Sequence, residues 1–374
     1  MKKKKVLFFI PNLAHGGAER VLVNLVNHMD YTKFDITVQT MFDVGIYKEK
    51  LSNSIHYIGG FPWYFRGNTF VYKLISPKML YKLYIKDGYD VIVSYLEGPS
   101  ARVIGGAPID QKTICWIHTE LRDTDDSKYV FRNMQEAKNC YGRFDRIICV
   151  SEKVKSTFRH IFPQCKDGEV LYNTVESKVI TEKSLEMIDE FVIDSDYVNL
   201  VSTGKLIKVK GFERLIRVTG RLIADGISVR LYLVGEGEER RNLEQLVSEE
   251  GLNECVSFVG FKENPYKYVK NADLFICSSY REGFSTAVTE SLIVGTPVVS
   301  TRCSGAEELL GYNDEYGIVT DNDEEALYEG IKRMVTTPGL LQHYKEQAEI
   351  RGKKFSTEDT VRAVEDMLKE VAAK

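Results

Sequence analysis

The chain has 374 residues, of which 28% are charged and 43% are hydrophobic, and its formal net charge is −4. A single hydrophobic core usually stops growing at about 250 to 300 residues, so this length predicts two globular domains, and the composition argues against disorder. The longest apolar stretches, such as residues 6–10, are far shorter than the roughly 18 residues of a membrane span, and no signal-peptide cleavage site follows them. The sequence therefore predicts a cytoplasmic protein without a spanning helix or a secretory signal.

The seven cysteines occur singly, without any Cys-x-x-Cys pair. An odd number of isolated cysteines argues against a disulfide framework and against a structural zinc site. We expect them to behave as small buried hydrophobic residues in a reducing compartment. They are Cys115, Cys140, Cys149, Cys165, Cys255, Cys277 and Cys303.

The net charge conceals a difference between the two halves of the chain. Residues 1–180 carry 26 Lys or Arg and 19 Asp or Glu, whereas the remainder carries 24 and 35. We expect halves of opposite charge to contact different partners. The first half contains a lysine run at residues 2–5 and a basic, aromatic stretch that suits an anionic membrane surface. A solvated helix face is the alternative interpretation of that stretch, which comprises Trp63, Tyr64, Phe65, Arg66, Tyr72, Lys73, Lys78, Tyr81, Lys82, Tyr84 and Lys86.

Apolar runs of strand length alternate with longer helical patterns along the whole chain, which is typical of parallel sheets covered by helices on both sides. The predicted strands of the first half are residues 5–10, 34–41, 90–94, 113–117, 146–150 and 171–172. Those of the second half are residues 198–203, 230–234, 256–259, 274–277, 297–300 and 317–319. A charged stretch at residues 176–195 is the predicted linker.

This pattern predicts an α/β fold of two doubly wound, Rossmann-like domains at residues 1–175 and 196–355. A C-terminal segment at residues 356–374 contains an amphipathic helical pattern that could pack back on the N-terminal domain. In doubly wound folds ligands bind at the carboxyl ends of the strands, so we expect both sheets to face an interdomain cleft.

Two glycines, Gly16 and Gly17, follow the first predicted strand and precede an amphipathic helix. Glycines at a helix start let the backbone approach an anion, and the free amides and helix dipole favour negative charge there. The spacing is not that of a dinucleotide-binding Gly-x-Gly-x-x-Gly loop. By itself this pair would be an ordinary strand-to-helix turn.

The second half repeats this arrangement with two charges added, because Gly204, Lys205, Lys210 and Gly211 lie between a strand and a helix. Two ammonium groups on one loop can converge on a diphosphate and stabilise it without a metal ion. Solvent-exposed lysines are the alternative. A further glycine turn at residues 235–237 has no third glycine, so we interpret it as structural.

The most specific segment is residues 280–299, where Glu282 and Gly283 lie in a loop and Glu290 lies on the helix that follows. Ser285 is in position to cap that helix, whose first amides would point toward a ligand. Both carboxylates can reach one pocket, where one suits the hydroxyls of a ribose and the other those of a transferred sugar. The alternative is a helix with an incidental glutamate near its start.

Together, these residues and the Gly-x-x-Glu at Gly305 and Glu308 resemble glycosyltransferase family 4, the retaining sugar-nucleotide transferases of GT-B fold. The resemblance covers the chain from Val6 to about Val335 and is closest to enzymes of bacterial surface-polysaccharide or lipid-linked oligosaccharide synthesis. The family usually has Arg where this chain has Lys205, and a lysine lacks the bidentate fork.

The resemblance implies a role for each matching residue. Lys205 and Lys210 would bind the donor diphosphate, Glu290 the ribose, and Glu282 the donor sugar. His118 would lie beside the transferred sugar, although a strand-end histidine is more often structural. The remaining implied positions are Gly16, Gly17 and Gly204 near the diphosphate, Gly260 and Phe261 near the base, Gly283, Phe284, Ser285 and Thr286 around the phosphate, and Glu308 and Asn173 as supporting residues.

The reaction implied is transfer from a nucleotide-diphosphate sugar, with UDP as the expected nucleotide, to a hydroxyl of a glycan or lipid-linked acceptor. Relatives are thought to react on one face of the sugar with the leaving phosphate accepting the proton, and the sequence offers no candidate carboxylate nucleophile. The resemblance implies no cofactor, metal ion or nucleic-acid partner. A peripheral contact with an anionic membrane would fit such an acceptor.

Three alternatives stay open. A metal-dependent transferase would use an Asp-x-Asp pair, and the chain has three: Asp123/Asp125, Asp194/Asp196 and Asp321/Asp323. A sugar-nucleotide epimerase would share the fold. A non-catalytic sugar-nucleotide-binding protein would share the pocket but not the chemistry.

Overall fold

A computed structural model of the chain describes residues 3–14, 16–63, 72–86, 88–121, 130–188, 194 and 196–373. The chain divides into two compact units. The first unit comprises Met1–Val175 and Thr357–Lys374, and the second comprises Glu176–Ser356. The C-terminal segment therefore belongs to the unit in which the chain begins.

In the described part of the first unit, seven strands form one parallel sheet in the order β3-β2-β1-β4-β5-β6-β7. The strand order reverses at β1, which pairs in parallel with β2 on one side and β4 on the other. This is the Rossmann arrangement, in which ligands bind at the carboxyl ends of the strands near the reversal. The strands are β1 (Lys4–Ile10), β2 (Phe34–Thr40), β3 (His56–Ile58), β4 (Val91–Ser94), β5 (Thr113–Ile117), β6 (Arg146–Cys149) and β7 (Glu169–Val170).

The second unit repeats the arrangement over its described residues, with six strands in the order β10-β9-β8-β11-β12-β13. Here the order reverses at β8, between β9 and β11. The fold class predicted from the sequence, two Rossmann-like α/β domains, is thus confirmed. The strands are β8 (Val198–Thr203), β9 (Val229–Val234), β10 (Val256–Gly260), β11 (Leu274–Cys277), β12 (Val298–Thr301) and β13 (Ile318–Thr320).

Helices connect the strands, and short 3₁₀ helices occur at Ile46–Lys50 and Lys208–Lys210. The helices of the first unit that precede the second unit in the chain are α1 (Gly17–His28), α2 (Pro77–Tyr84), α3 (Pro99–Ile104), α4 (Met134–Tyr141) and α5 (Glu152–Ile161). The second-unit helices are α6 (Ser177–Ser184), α7 (Phe212–Ala224), α8 (Arg240–Glu249), α9 (Tyr266–Asn271), α10 (Thr286–Val294), α11 (Ala306–Leu310), α12 (Glu324–Thr336) and α13 (Leu340–Gly352). The last helix is α14 (Thr357–Ala373).

Burial explains why the central strands read as continuous apolar runs. Every residue from Val6 to Ile10 is fully buried, as expected for a parallel strand covered by helices on both faces. The helices bury one side only. In α7 the buried residues Phe212, Leu215, Ile216 and Leu222 recur at helical spacing, which places one apolar stripe against the second sheet.

Helix α14 packs against the first unit. Its Val361, Val364, Leu368 and Val371 are buried. The Thr357 hydroxyl donates to the carbonyl oxygen of Val175 at 2.7 Å, and Glu365 accepts from the amide of Asp30 at 2.7 Å. The helix is therefore part of the core of that unit.

Three details differ from the sequence-based expectations. The sequence does not predict strand β3, because it is a three-residue edge strand with no buried residue. The predicted strand at residues 171–172 is wrong in position, since the last strand of the first sheet is Glu169–Val170. The stretch interpreted as a linker contains helix α6, which packs against α9 and α10, and Asn264 donates to the carbonyl oxygen of Lys183 at 2.9 Å.

The basic, aromatic stretch divides between buried and exposed positions. Its tyrosines Tyr72, Tyr81 and Tyr84 are buried, whereas Trp63 is 67% exposed. Residues 64–66 of the stretch lie outside the described residues.

None of the helices within the described residues has the length and hydropathy needed to span a bilayer. All seven cysteines are free, and Cys115, Cys140, Cys149 and Cys277 are buried.

Candidate functional site

Two loops at the carboxyl ends of β8 and β11 carry most of the predicted site residues. The first loop runs from Gly204 through the 3₁₀ helix Lys208–Lys210 to Gly211, where α7 begins. The second follows β11 and reaches the start of α10 at Thr286. Because β8 and β11 are paired neighbours in a parallel sheet, their carboxyl ends lie side by side at the position where doubly wound sheets bind ligands.

A charged cluster joins the two loops. The Lys210 ammonium donates to Glu282 Oε1 at 2.6 Å, and the Ser279 hydroxyl donates to the same oxygen at 2.6 Å. Lys210 is 26% exposed and Glu282 13%, so both groups are largely withdrawn from water. Burial alone would lower the pKa of Lys210, but the Glu282 carboxylate outweighs it, and the pKa of Lys210 is raised above its ordinary value. Lys210 is therefore a fixed cation.

This cluster retains hydrogen-bonding capacity for a ligand. An ammonium group has three protons, and Glu282 accepts one of those of Lys210. The other protons can be donated to phosphate oxygens. Glu282, in turn, can hold the lysine in place and still present a carboxylate oxygen to a sugar hydroxyl, so the pair suits the boundary between a phosphate and a sugar.

Close packing and hydrogen bonds hold the two loops together next to the Lys210–Glu282 pair. Gly211 has a left-handed φ of +63°, and a Cβ there would lie 2.3 Å from the carbonyl oxygen of Ser278. The Ser278 hydroxyl donates to the carbonyl oxygen of Lys210 at 2.9 Å. Arg214, which is 2% exposed, donates from Nε to the Ser278 carbonyl at 2.8 Å and stacks on the ring of Tyr280 at 4.0 Å.

The other predicted lysine, Lys205, differs from Lys210 in its exposure. Lys205 is exposed, and among the described residues no hydrogen bond or ion pair connects its ammonium group to Lys210 or Glu282. Gly204, next to it, has space around its Cα, because a Cβ there would meet only Lys210 and Phe212 side-chain carbons at 3.8 and 3.9 Å. The structure thus pairs Lys210 with Glu282, whereas Lys205 is exposed and makes no ion pair with Glu282 among the described residues.

The start of α10 is built as predicted. Ser285 is its N-cap and accepts from the amide of Val288 at 3.4 Å, which confirms the predicted cap. The helix then leaves the amides of Thr286 and Ala287 without an acceptor within the helix. Glu290 is buried, at 5% exposure, on the same helix. Gly283 and Phe284 form the turn before the cap, with Phe284 buried against Gly305.

The glycine turn at residues 235–237, interpreted from the sequence as structural, lies against the first loop. A Cβ on Gly235 would lie 1.8 Å from the carbonyl oxygen of Gly204, so this turn packs directly on the first loop. On the neighbouring strand β10, Gly260 ends the strand at a positive φ. Phe261 follows it with 57% of its side chain exposed, as a platform for a base would need to be.

In the first unit, the predicted site residue His118 also lies at the carboxyl end of a strand. His118 follows β5; its backbone amide donates to Glu97 at 2.8 Å, and its ring lies 4.9 Å from that of Tyr95. Its Nε2 is buried without a hydrogen-bond partner among the described residues. Burial lowers the pKa of His118 from 6.5 to about 3, so the imidazole is neutral near pH 7.

The early glycines lie where β1 leads into α1. Gly17 is the first residue of α1, and a Cβ there would meet nothing within 4 Å. Gly16 is the N-cap, without a side-chain cap. The backbone is thus open to a ligand at Gly17. Asn173 follows β7.

In each Asp-x-Asp pair of the described region, at least one aspartate side chain makes a structural contact. Asp323 caps α12 by accepting from the amide of Ala326 at 2.8 Å, and Asp194 accepts from the amide of Asp196 at 3.0 Å. In the described residues no group of three His, Cys, Asp or Glu side chains is arranged to hold a metal ion. Asp123 and Asp125 lie outside the described residues.

Comparison with known proteins identifies the family. Residues 15–178 match Glycosyltransferase Family 4, and residues 184–351 match Glycosyl transferases group 1. An N-acetylgalactosamine-N,N'-diacetylbacillosaminyl-diphospho-undecaprenol 4-alpha-N-acetylgalactosaminyltransferase of Campylobacter jejuni is 31% identical, over 98% of this chain and 99% of its own length. The chain belongs to glycosyltransferase family 4.

A second relative of this glycosyltransferase is the lipopolysaccharide core biosynthesis glycosyltransferase LpsE of Rhizobium meliloti. It is 33% identical but aligns over only 40% of this chain and 42% of its own length.

Solved structures show the same fold. Anabaena HepE in complex with UDP and glucose has a TM-score of 0.79 at 19% identity, covering 98% of this chain and 99% of that one. Sucrose-phosphate synthase from Thermosynechococcus elongatus has a TM-score of 0.80 at 17% identity, covering 99% and 100%. The GT-B fold predicted for this glycosyltransferase is therefore confirmed.

The residues that hold the loops of this glycosyltransferase in place are not among those predicted from the sequence. Ser278, Ser279 and Arg214 carry no motif of their own. The position of the two serines in the sequence, between a buried strand and the loop of Glu282, could have indicated their role. No sequence feature indicated the buried position of Arg214, because an arginine on an amphipathic helix is ordinarily exposed.

Proposed function

We propose that this glycosyltransferase moves a sugar from a UDP-linked donor to a hydroxyl of a glycan or lipid-linked acceptor, with retention of anomeric configuration and without a metal ion. The observation that carries the proposal is the Lys210–Glu282 pair at the carboxyl ends of β8 and β11. It supplies a fixed cation for a leaving diphosphate beside a carboxylate for a sugar. The family membership and the names of its relatives support the choice of reaction.

In the proposed mechanism the donor lies along the second unit. Lys210 and the exposed Lys205 neutralise the diphosphate, and the amides at the start of α10 donate to its oxygens. Glu290 accepts from the ribose hydroxyls, Glu282 from the sugar, and Phe261 packs against the base beside Gly260. Gly204 and Gly283 let the backbone approach the phosphates closely.

The first unit supplies the acceptor side in this proposal. The neutral His118 imidazole can donate or accept a hydrogen bond beside the transferred sugar, and the open backbone at Gly17, next to the N-cap Gly16, admits a phosphate or acceptor oxygen. The acceptor hydroxyl attacks the anomeric carbon as its bond to the diphosphate breaks, and the leaving phosphate oxygen takes the hydroxyl proton. Positioning and charge stabilisation then account for the rate enhancement.

The biological setting proposed is cell-surface polysaccharide synthesis. The Campylobacter jejuni relative is named for a diphospho-undecaprenol substrate, and the Rhizobium meliloti relative for lipopolysaccharide core biosynthesis. A lipid-linked acceptor would bring this chain to a membrane surface as a peripheral protein.

A thermal-shift panel of UDP-, GDP-, ADP- and dTDP-sugars tests the donor. A ligand at about 100 times its dissociation constant stabilises by about 2.7 kcal/mol, so a bound donor raises the melting temperature by a measurable amount. We expect the UDP-sugars to give the largest shift, in excess chelator as well. A shift for UDP-sugars only with added Mn²⁺ would contradict the metal-free proposal.

Product analysis tests the reaction. With acceptor present, we expect an NMR spectrum in which the new glycosidic bond keeps the donor's anomeric configuration. An inverted product would contradict retention. Conversion of the donor to an epimer without acceptor would indicate an epimerase, and tight donor binding without any turnover would indicate a binding protein.

A further inference from the structure

Two of the seven free cysteines lie side by side at the carboxyl ends of neighbouring strands in the second unit. Cys277 is the last residue of β11, and Cys303 follows β12, which pairs in parallel with β11. The hydroxyl of Thr301, the last residue of β12, donates to the carbonyl oxygen of Ser279 at 2.7 Å. The amide of Cys303 donates to the carbonyl oxygen of Thr301 at 2.8 Å in a tight turn. The two side chains meet there, and their thiols are hydrogen-bonded to each other.

A second pair of cysteines on neighbouring strands lacks this arrangement. Cys115 on β5 and Cys149 on β6 are two positions out of register, because Cys115 pairs with Ile147. Both are fully buried. Cys303, by contrast, is half-buried. The pair at the ends of β11 and β12 therefore combines contact between the thiols with access from solvent.

On the β11 side, this cysteine pair adjoins the cluster that holds Lys210. The Cys277 sulfur lies 3.8 Å from the Ser279 hydroxyl oxygen, and that hydroxyl donates to Glu282 Oε1 at 2.6 Å. The same carboxylate oxygen accepts from Lys210. A change at Cys277 therefore reaches the Lys210–Glu282 pair through one intervening side chain.

On the β12 side, the pair adjoins the turn that precedes α10. Gly305 lies two residues after Cys303, and a Cβ on Gly305 would be only 2.8 Å from a ring carbon of Phe284. This close packing connects the backbone after Cys303 with the turn at Gly283 and Phe284. The two cysteines thus stand next to both ends of the loop that contains Glu282.

The surroundings of Cys277 favour its thiolate form. The hydrogen bond from the Cys303 thiol lowers the pKa of Cys277, and the Lys210 ammonium lowers it further, against the opposing effect of burial. The pKa of Cys303 is raised well above its ordinary value, first by its hydrogen bond to Cys277, so Cys303 keeps its proton. The thiolate is the form that oxidants attack. Because Cys277 is 5% exposed, the oxidant must be small.

We propose that Cys277 and Cys303 are a redox modification site, which hydrogen peroxide converts to a disulfide that impairs the donor site and which added thiols restore. First, the Cys277 sulfur attacks a peroxide oxygen and the O–O bond breaks. This step gives a sulfenic acid and a hydroxide, which takes up the proton that the Cys277 thiol had released. The Cys303 sulfur then attacks the Cys277 sulfur, the S–O bond breaks, and the departing hydroxide takes the Cys303 proton. The two sulfurs lose two electrons in all, and the peroxide is reduced to two molecules of water.

The disulfide should impair the donor site by displacing its loops. A covalent bond brings two sulfurs closer together than hydrogen-bonded thiols are, so the neighbouring backbone at Ser279 and Gly305 must shift. Because a displacement of about 1 Å in an active site can cost about 100-fold in rate, we expect turnover to fall at least about ten-fold. This loss rests on the proposed function, whereas formation of the disulfide does not.

Peptide mapping by mass spectrometry tests the disulfide, using the full chain treated with hydrogen peroxide and then with an alkylating agent. We expect a cross-linked peptide containing Cys277 and Cys303, which dithiothreitol separates. Cys303→Ser should instead retain a sulfenic acid at Cys277, which dimedone traps. Cys255→Ser is the matched control, because Cys255 is half-buried as Cys303 is, and this variant should form the cross-link as the wild type does.

Initial transfer rates before and after peroxide treatment test the consequence. The wild type and Cys255→Ser should lose turnover and regain it with dithiothreitol, whereas Cys277→Ala should keep its untreated rate. The proposal is overturned if the wild type yields no cross-linked peptide, if the cross-link leaves turnover unchanged, or if Cys277→Ala loses turnover equally. Absence of transfer by the untreated wild type would contradict the proposed function instead, and the peptide map would still decide whether the disulfide forms.

Discussion

At the scale of single residues, the proposed function depends most on Lys210. Its ammonium group is paired, mostly buried and positioned by Glu282, so in the proposed mechanism it would bind a diphosphate without having to be reoriented. Preorganised donors of this kind account for a large share of catalysis, and losing one typically costs about 2.7 to 4 kcal/mol of transition-state stabilisation.

We therefore expect Lys210→Ala to reduce turnover by about 100- to 1000-fold. Lys208, an exposed lysine on the same 3₁₀ helix, provides the matched control, and Lys208→Ala should transfer nearly as the wild type does. Steady-state kinetics with saturating donor measures both. Near-normal turnover by Lys210→Ala would remove its diphosphate role.

His118 makes a prediction about pH. Its pKa is lowered by burial from 6.5 to about 3, so the unfolded chain binds a proton between these values that the folded chain does not. The contribution of the neutral His118 to the free energy of unfolding is therefore fully present above about pH 6.5. It decreases as the pH falls below that value, by up to about 1.4 kcal/mol per pH unit.

Urea unfolding between about pH 7 and pH 5 measures this effect. The wild type should lose more stability over that interval than His118→Asn, which has no group that titrates there. Parallel losses in the two proteins would mean that the His118 ring is solvated and protonates normally.

At the scale of secondary-structure elements, the site depends on how the β8–α7 and β11–α10 loops meet. The backbone of Gly211 lies against the Ser278 carbonyl, where a Cβ would be only 2.3 Å from the oxygen, and Arg214 donates to the same carbonyl. Glycine is needed at this point both for its left-handed backbone and for its lack of a side chain.

Gly211→Ala should destabilise the protein by more than the cost of the left-handed conformation. Gly251→Ala is the control, since Gly251 has a similar φ of +69° but a Cβ there would meet nothing within 4 Å. We expect about 1 to 2 kcal/mol for Gly251→Ala from backbone strain and roughly a further 1 to 3 kcal/mol for Gly211→Ala from overlap. Equal losses of unfolding free energy would contradict the close packing of the two loops.

At the scale of the whole molecule, the chain builds two units with separate sheets, and the first unit is completed by the end of the chain. Helix α14 contributes buried Val361, Val364, Leu368 and Val371 to that unit. Each fully buried side chain of this size is worth about 1.5 to 3 kcal/mol. Losing the helix would remove a sum comparable to the entire stability of a domain.

Truncation after Ser356 should therefore unfold the first unit and leave the second able to bind nucleotide. Calorimetry should show one transition that is lost and one that UDP still shifts upward. Glu370→Ala is the control on the same helix, because it removes only an ion pair with Arg146 in which Glu370 is 64% exposed. Two intact transitions in the truncated chain would show that α14 is dispensable.

The sequence by itself determined the features that depend on neighbouring residues. Continuous apolar runs marked the buried parallel strands, and glycines and capping residues marked the loops between strand and helix, as at Ser285. The local sequence pattern was too weak to predict β3, a three-residue edge strand without a buried residue. It was also too weak to predict α6, whose charged sequence folds as a helix against α9 and α10.

Only the tertiary structure decided which of these residues meet. Lys210 and Glu282 are 72 positions apart, and Arg214 and Ser278 are 64 apart; parallel strands bring them together through long connections that no local pattern encodes. The same long-range packing made Arg214 a buried support, paired Lys210 while leaving Lys205 exposed, and joined α14 to the unit at the opposite end of the chain. Local sequence sets what each segment can form, whereas the meeting of distant segments sets charge, burial and the site.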